Sequence, residues 1–172
     1  MRNLRILVVA VCGAGVLLVA STASATDIRG TISSTLVITE DSQLVGNVTC
    51  TVTGAPCVSF GVSGIALKLN GFSITGLADP AAGCGGGSVA GEHGVNIAGL
   101  RGVIVQGPGI VRQFRGHGII VTGASSRVLV TQVTMATNCL SGIIVTGAST
   151  ENDLVANTGV NNGNSAAPCG GI

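Results

Sequence analysis

Short apolar runs alternate with breaks rich in glycine, serine and asparagine along the chain after residue 25. In one stretch the runs are Ile119–Val121, Val128–Val130 and Val133–Met135. They are short and rich in β-branched residues, which suits strands, and no extended 3.6-residue periodicity marks a helix. The pattern also repeats. Gly118-Ile119-Ile120-Val121-Thr122-Gly123-Ala124-Ser125 returns as Gly142-Ile143-Ile144-Val145-Thr146-Gly147-Ala148-Ser149, and a weaker copy begins at Gly94-Val95-Asn96-Ile97. Three short strands in about 24 residues cannot bury an apolar side alone, but stacked copies can. The prediction is an all-β, right-handed parallel β-helix of about six turns, each strand pairing with its copy roughly 4.8 Å along the axis. An antiparallel sandwich or barrel is the alternative. The repeated unit spans three strands rather than a hairpin's two, which favours the solenoid.

The first residues read differently. Arg2 and Arg5 precede the apolar run Ile6–Ala20, and Ala23-Ser24-Ala25 supplies small residues for cleavage. Residues 1–25 are therefore assigned as a secretory signal peptide and 26–172 as the β-helix domain, with the amino-terminal cap and first turns in 26–60. The apolar run is short for a bilayer span of roughly 20 residues, so contact with a membrane is expected only through the cleaved signal. The expected location is secreted, extracellular or periplasmic. At the other end, Gly170-Gly171-Ile172 opens a further repeat at the end of the sequence. That reads as a fragment of a longer solenoid, or as an open turn offering an edge for self-association.

Composition narrows the function classes. The chain has 28 Gly, no Trp, no Tyr and three Phe, with a formal net charge of +1. No basic patch suggests nucleic acid as a partner. Scarce aromatics argue against sugar stacking, and no cofactor or metal motif is present.

The segment Leu67-Lys68-Leu69-Asn70-Gly71-Phe72-Ser73-Ile74-Thr75-Gly76 resembles the L-x-L-N-G-x-x-I-x-G rung of bacterial right-handed β-helix repeat proteins. Asn152-Asp153-Leu154-Val155-Ala156-Asn157 is similar to their N-x-I-x-x-N step. These proteins form the pectate-lyase-like superfamily, and the resemblance covers residues 31–172. It implies the fold and leaves activity open among polysaccharide lyases, hydrolases, epimerases, binders and members of unknown role.

Five cysteines follow the signal, and an exported chain retains disulfides. Cys50 and Cys57 flank a Gly54-Ala55-Pro56 turn and are expected to pair. Cys139 and Cys169 each fall just ahead of the same strand in successive repeats, so a Cys139–Cys169 pair is expected, with Cys84 left over. For chemistry, the sharpest constellation is a column: His93 and His117 hold one position in adjacent turns, and Ser141 holds it in the third. Glu92, Arg112 and Arg115 are near in sequence. The leading expectation is a structural or polymer-binding protein, its partner an extracellular polysaccharide, without a recognisable catalytic cluster. The alternative is a lyase acting on an acidic polysaccharide, with His117 or Arg115 as base and the arginines neutralising a uronate. The carboxylates are too scattered for a hydrolase pair, and Asp153 beside Asn152 reads as a turn cap.

Overall fold

A computed structural model describes residues 25–78, 84 and 88–163 of the protein. Residues 1–24 of the signal, Cys169 and the final repeat at Gly170–Ile172 lie outside the described residues.

The described chain holds thirteen strands and no helix: β1 (Thr26–Ile32), β2 (Leu36–Ile38), β3 (Ser42–Cys50), β4 (Val58–Phe60), β5 (Ala66–Lys68), β6 (Ser73–Thr75), β7 (Val95–Ala98), β8 (Ile104–Arg112), β9 (Ile119–Thr122), β10 (Leu129–Ala136), β11 (Ile143–Val145), β12 (Asp153–Val155) and β13 (Thr158–Val160). Every pairing between them is parallel. One sheet runs β1-β3-β5-β8-β10-β12, with β6 and β13 joined to it, and the other runs β11-β9-β7-β4-β2. The chain alternates between the two sheets, as in a parallel β-helix. The long strands β3, β8 and β10 bend midway, so each turn has three faces. Residues 26–60 form the first two turns, through β1 to β4.

The repeat length is a local property. Register gives Val95↔Ile119↔Ile143 on one face and Leu129↔Asp153 and Thr134↔Thr158 on the others, so the later turns advance in steps of 24. Earlier turns do not. Asp27 meets Gln43 after 16 residues, and Ser59 meets Asn96 after 37. The long step reflects the insertion between β6 and β7, which carries the glycine-rich loop around Cys84. The uniform 24-residue turn expected from the sequence thus holds only where the chain makes bare corners.

Inward side chains stack in ranks. Leu36, Val58, Val95, Ile119 and Ile143 follow one another through five turns, and Leu67, Val105, Val130 and Leu154 form a second rank. Val58, Val95, Ile119, Leu67, Val105 and Val130 are wholly buried. Each such side chain contributes about 1.5–3 kcal/mol. Phe60 and Phe114 fill the core, with Phe72 packed against it.

Corners are turned by single left-handed residues that recur with the repeat. Gln113, Thr137 and Asn161 have φ of 61°, 54° and 50°, and Gln132 and Ala156 have 58° and 54°. The tightest corner is Gly107-Pro108-Gly109 in β8, where the fourth turn holds one residue more than the fifth. A Cβ at Gly107 would lie 1.8 Å from the Gln132 carbonyl oxygen, and one at Gly109 would lie 2.3 Å from Leu69 Cβ. These glycines let neighbouring turns approach to strand spacing.

Two disulfides are present. Cys50–Cys57 joins β3 to the start of β4 with its Cα atoms 5.9 Å apart. The second corrects the expected Cys139–Cys169 pair: Cys139 is bonded to Cys84, Cα atoms 5.6 Å apart across a separation of 55 residues. The described ends of the insertion lie along the fourth turn, Ala78 N–H donating to Gln113 O and Val89 N–H to Arg115 O, and Cys84 reaches Cys139 in the fifth. Both cysteines are buried in a small cluster with Ala78. Cys84 is therefore not an odd thiol. The two disulfides indicate an oxidising, extracytoplasmic location.

Two outcomes follow. Gly107→Ala should lower stability by about 3 kcal/mol or more, because the clash is with backbone that cannot swing aside. Thr137→Gly should raise it by about 1 kcal/mol, since a β-branched residue is strained at positive φ. Urea unfolding followed by circular dichroism reads both.

Candidate functional site

The candidate residues gather at the corner that leads from β6, β8 and β10 into β7, β9 and β11. His93, His117 and Ser141 immediately precede Gly94, Gly118 and Gly142, and the register of those strands stacks them. The imidazole rings of His93 and His117 lie 5.2 Å apart, inclined by 25°.

Backbone geometry determines what these rings offer. The His117 N–H donates to His93 Nδ1 at 3.1 Å, and the Ser141 N–H donates to His117 Nδ1 at 3.1 Å. A backbone amide has only a proton to give, so each Nδ1 must present a lone pair. The proton of each neutral ring then sits on Nε2. Each ring bridges one turn to the next and presents its outer nitrogen as a donor. Burial, with a smaller contribution from the charge of His117, lowers the His93 pKa from 6.5 to about 4. Burial also lowers that of His117. Both rings are neutral at pH 7, with their basic nitrogen occupied by an amide. This arrangement gives His117 no free lone pair for proton abstraction, and none for a metal.

Glu92 and Arg115 are engaged with each other. Arg115 Nε donates to Glu92 Oε2 at 2.7 Å and its terminal nitrogen to Oε1 at 2.6 Å. The Gly54 N–H also donates to Oε1, at 2.7 Å. Glu92 is 4% exposed. A forked guanidinium and an amide satisfy this buried carboxylate and tie the second, third and fourth turns together. The Glu92 carboxylate bond raises the Arg115 pKa, which keeps the guanidinium charged. Arg112 stands apart on the outer face of β8, where its Nε donates to Thr75 Oγ1 at 3.1 Å. The structure thus brings His93, His117, Glu92 and Arg115 to one corner and leaves Arg112 off it. Among the described residues no three His, Cys, Asp or Glu side chains gather to hold a metal.

Sequence reasoning reached Asn152 and Asn157 only as a motif and missed Asn138 and Asn162. Asn138, Asn157 and Asn162 each accept, through Oδ1, the backbone N–H of the residue 24 before: Phe114, Val133 and Asn138. Each also donates through Nδ2 to the carbonyl 27 before: Val111, Val130 and Met135. Asn152 accepts from Val128 N–H in the same way. The turn there is held by Asn152 and not by Asp153, which stands within β12 with no capping bond. Asn152 Nδ2 is buried without a partner. The carbonyl 27 before it, Ser125, already accepts the Thr150 N–H. Asn138 and Asn162 stand one repeat apart, a signal that was visible in the chain.

Two depressions lie at the ends of the described solenoid. One, of about 320 Å³, is lined by Ile28, Ile32, Leu36 and Ile38 together with Asp27, Arg29 and Glu40 at the first turn. The other, of about 550 Å³, is lined by Met135, Ile143, Val145 and Leu154 at the last described turn.

Comparison with protein-family models, with curated proteins and with solved structures finds no match to the chain.

If Glu92 and Arg115 act as one unit, R115A should cost about 3 kcal/mol, because it strands the buried Glu92 carboxylate, E92A should cost less, because Arg115 is partly exposed and water can take the place of its partner, and the double variant should cost little more than R115A. Additive losses in urea unfolding would show that the two groups act independently.

Proposed function

We propose that this is an exported β-helix repeat protein with a structural or polymer-binding role, its partner an extracellular polysaccharide, without a recognisable catalytic cluster. One observation carries the reading: at the corner where an acid–base group was sought, the polar side chains are engaged in holding turns together. Both imidazole lone pairs accept backbone amides, and Glu92 and Arg115 neutralise each other.

The polymer-binding part of the reading draws on a different face. Asp27, Gln43, Lys68, Gln106 and Thr131 follow one another in register on the outside of β1, β3, β5, β8 and β10. Asp27, Lys68 and Gln106 are exposed. Successive members stand about 4.8 Å apart, giving a straight strip of hydrogen-bonding groups parallel to the axis. A linear polymer with repeating hydroxyls suits such a strip. Gln43 Nε2 donates to Asp27 Oδ1 at 2.8 Å, whereas Lys68 and Gln106 have no side-chain partner among the described residues.

The resemblance to pectate-lyase-like repeat proteins supports the fold side of this reading and not an activity. In Leu67–Gly76, Leu67, Leu69 and Ile74 are wholly buried and Asn70 turns a corner with φ of 49°. Every position of the motif is explained by building a turn. The signal peptide assigned from the sequence and the disulfides support export.

The test is to incubate the mature chain with a panel of neutral and acidic polysaccharides, measuring binding by affinity electrophoresis and lysis by ultraviolet absorbance of unsaturated ends. Binding without new absorbance is expected. Replacing Lys68 and Gln106 together by Ala should weaken it about tenfold, the effect of roughly 1.4 kcal/mol in lost hydrogen bonding. Unsaturated products that disappear in His117→Ala would establish the lyase alternative instead.

A further inference from the structure

We propose that the His93–His117 column is an acid-operated latch between the third, fourth and fifth turns. At neutral pH each ring accepts an amide proton from the next turn. Taking up a proton from solvent puts an N–H on each Nδ1. Both bonds then become contacts between two donors, His93 Nδ1 against His117 N–H and His117 Nδ1 against Ser141 N–H. Two positive rings are also left face to face at 5.2 Å. The corner must open to relieve both.

The surroundings make the rings report on pH rather than on a neighbouring carboxylate. Glu92, next to His93, is the one acidic group facing the column among the described residues. It is neutralised by Arg115 in a forked pair and held by the Gly54 amide. Arg112 is turned to Thr75 on the outer face of β8. Cys57 and Cys139, in the corners before and after, are in disulfides and do not titrate. Among the described residues no free anion therefore stabilises an imidazolium here.

The rings also lack space to turn the acceptor aside while the corner stays closed. A Cβ on Gly116 would lie 2.6 Å from His93 Nδ1, so this nitrogen sits directly against the backbone of the fourth turn. Backbone bonds beside the rings share the load: Cys57 N–H to His93 O, Gly94 N–H to His117 O and Gly116 N–H to Glu92 O.

The direction follows from linkage. Above pH 6.5 both the folded and the unfolded rings are neutral and the latch is closed. As pH falls below 6.5 the unfolded chain takes up protons that the folded corner refuses. Stability therefore falls as pH drops below 6.5, for His93 down towards about 4, and levels off once each folded ring is protonated too.

The test compares the mature wild-type chain with H93N/H117N. Asn places Oδ1 where the ring carries Nδ1, so it keeps the acceptor and removes the titration. Amide hydrogen exchange is measured from pH 7.5 to 4, each rate divided by its intrinsic value at that pH. In the wild type, protection at His117 and Ser141 should drop by about tenfold or more while that at Val130 and Val133 holds. The variant should keep its protection at residues 117 and 141 across the range. Unchanged protection at His117 and Ser141 in the wild type overturns the latch, as does an equal loss in a folded variant. Should the variant unfold at pH 7.5, the ¹⁵N shifts of the wild-type rings decide. Nδ1 resonances already protonated at pH 7 overturn the proposal, and unprotonated Nδ1 that titrates together with the loss of protection supports it.

Discussion

Everything in this solenoid depends on one requirement: each turn must present its backbone donors and acceptors to the next at strand spacing. On the flat faces the parallel ladders meet that requirement without help from side chains. At the corners the backbone swings out of register, and buried amides there have no strand partner. An unpaired buried amide costs on the order of 1–3 kcal/mol. The chain fills these places with side chains that imitate a neighbouring strand. Asn138, Asn157 and Asn162 accept from one backbone position and donate to another on the preceding turn, Ser125 does so through its hydroxyl, and the histidines accept through Nδ1.

The functional reading follows from that requirement. A polar residue at a corner is under demand from the fold before it is available to a ligand. His93, His117, Glu92 and Arg115 look in isolation like a base, its partner, an acid and a cation. In place, each completes a bond between turns. The outward columns carry no such duty, because their backbones are already paired. Groups such as Lys68 and Gln106 stand exposed there with no side-chain partner among the described residues. The histidines differ from the asparagines in one respect: their acceptor titrates. The same structural task done by an amide would ignore pH, and done by imidazole it depends on pH.

The disulfides show how an insertion alters the pattern. Aligning Cys139 and Cys169 just ahead of successive strand starts, with a longer last rung, pairs them, because stacked turns bring equivalent positions together. The insertion between β6 and β7 breaks equivalence by carrying Cys84 along the fourth turn to the fifth. A cross-link over 55 residues closes a longer loop than one between consecutive turns and removes more freedom from the unfolded chain.

The sequence by itself determined that this is an all-β solenoid with its later turns in register, because identical side chains recurring at a fixed step can share a core only by stacking. It also determined the alignment of His93, His117 and Ser141, since the glycine after each marks the same strand start. Only the tertiary structure decided what those residues do. Which nitrogen of an imidazole carries the proton depends on a backbone amide from another turn, and the step between residues does not reveal it. The Glu92–Arg115 pair lies one residue off the repeat, and the Cys84–Cys139 bond depends on how an insertion folds back. Repetition is written in the chain, whereas contacts that break the repetition arise only when the turns are packed.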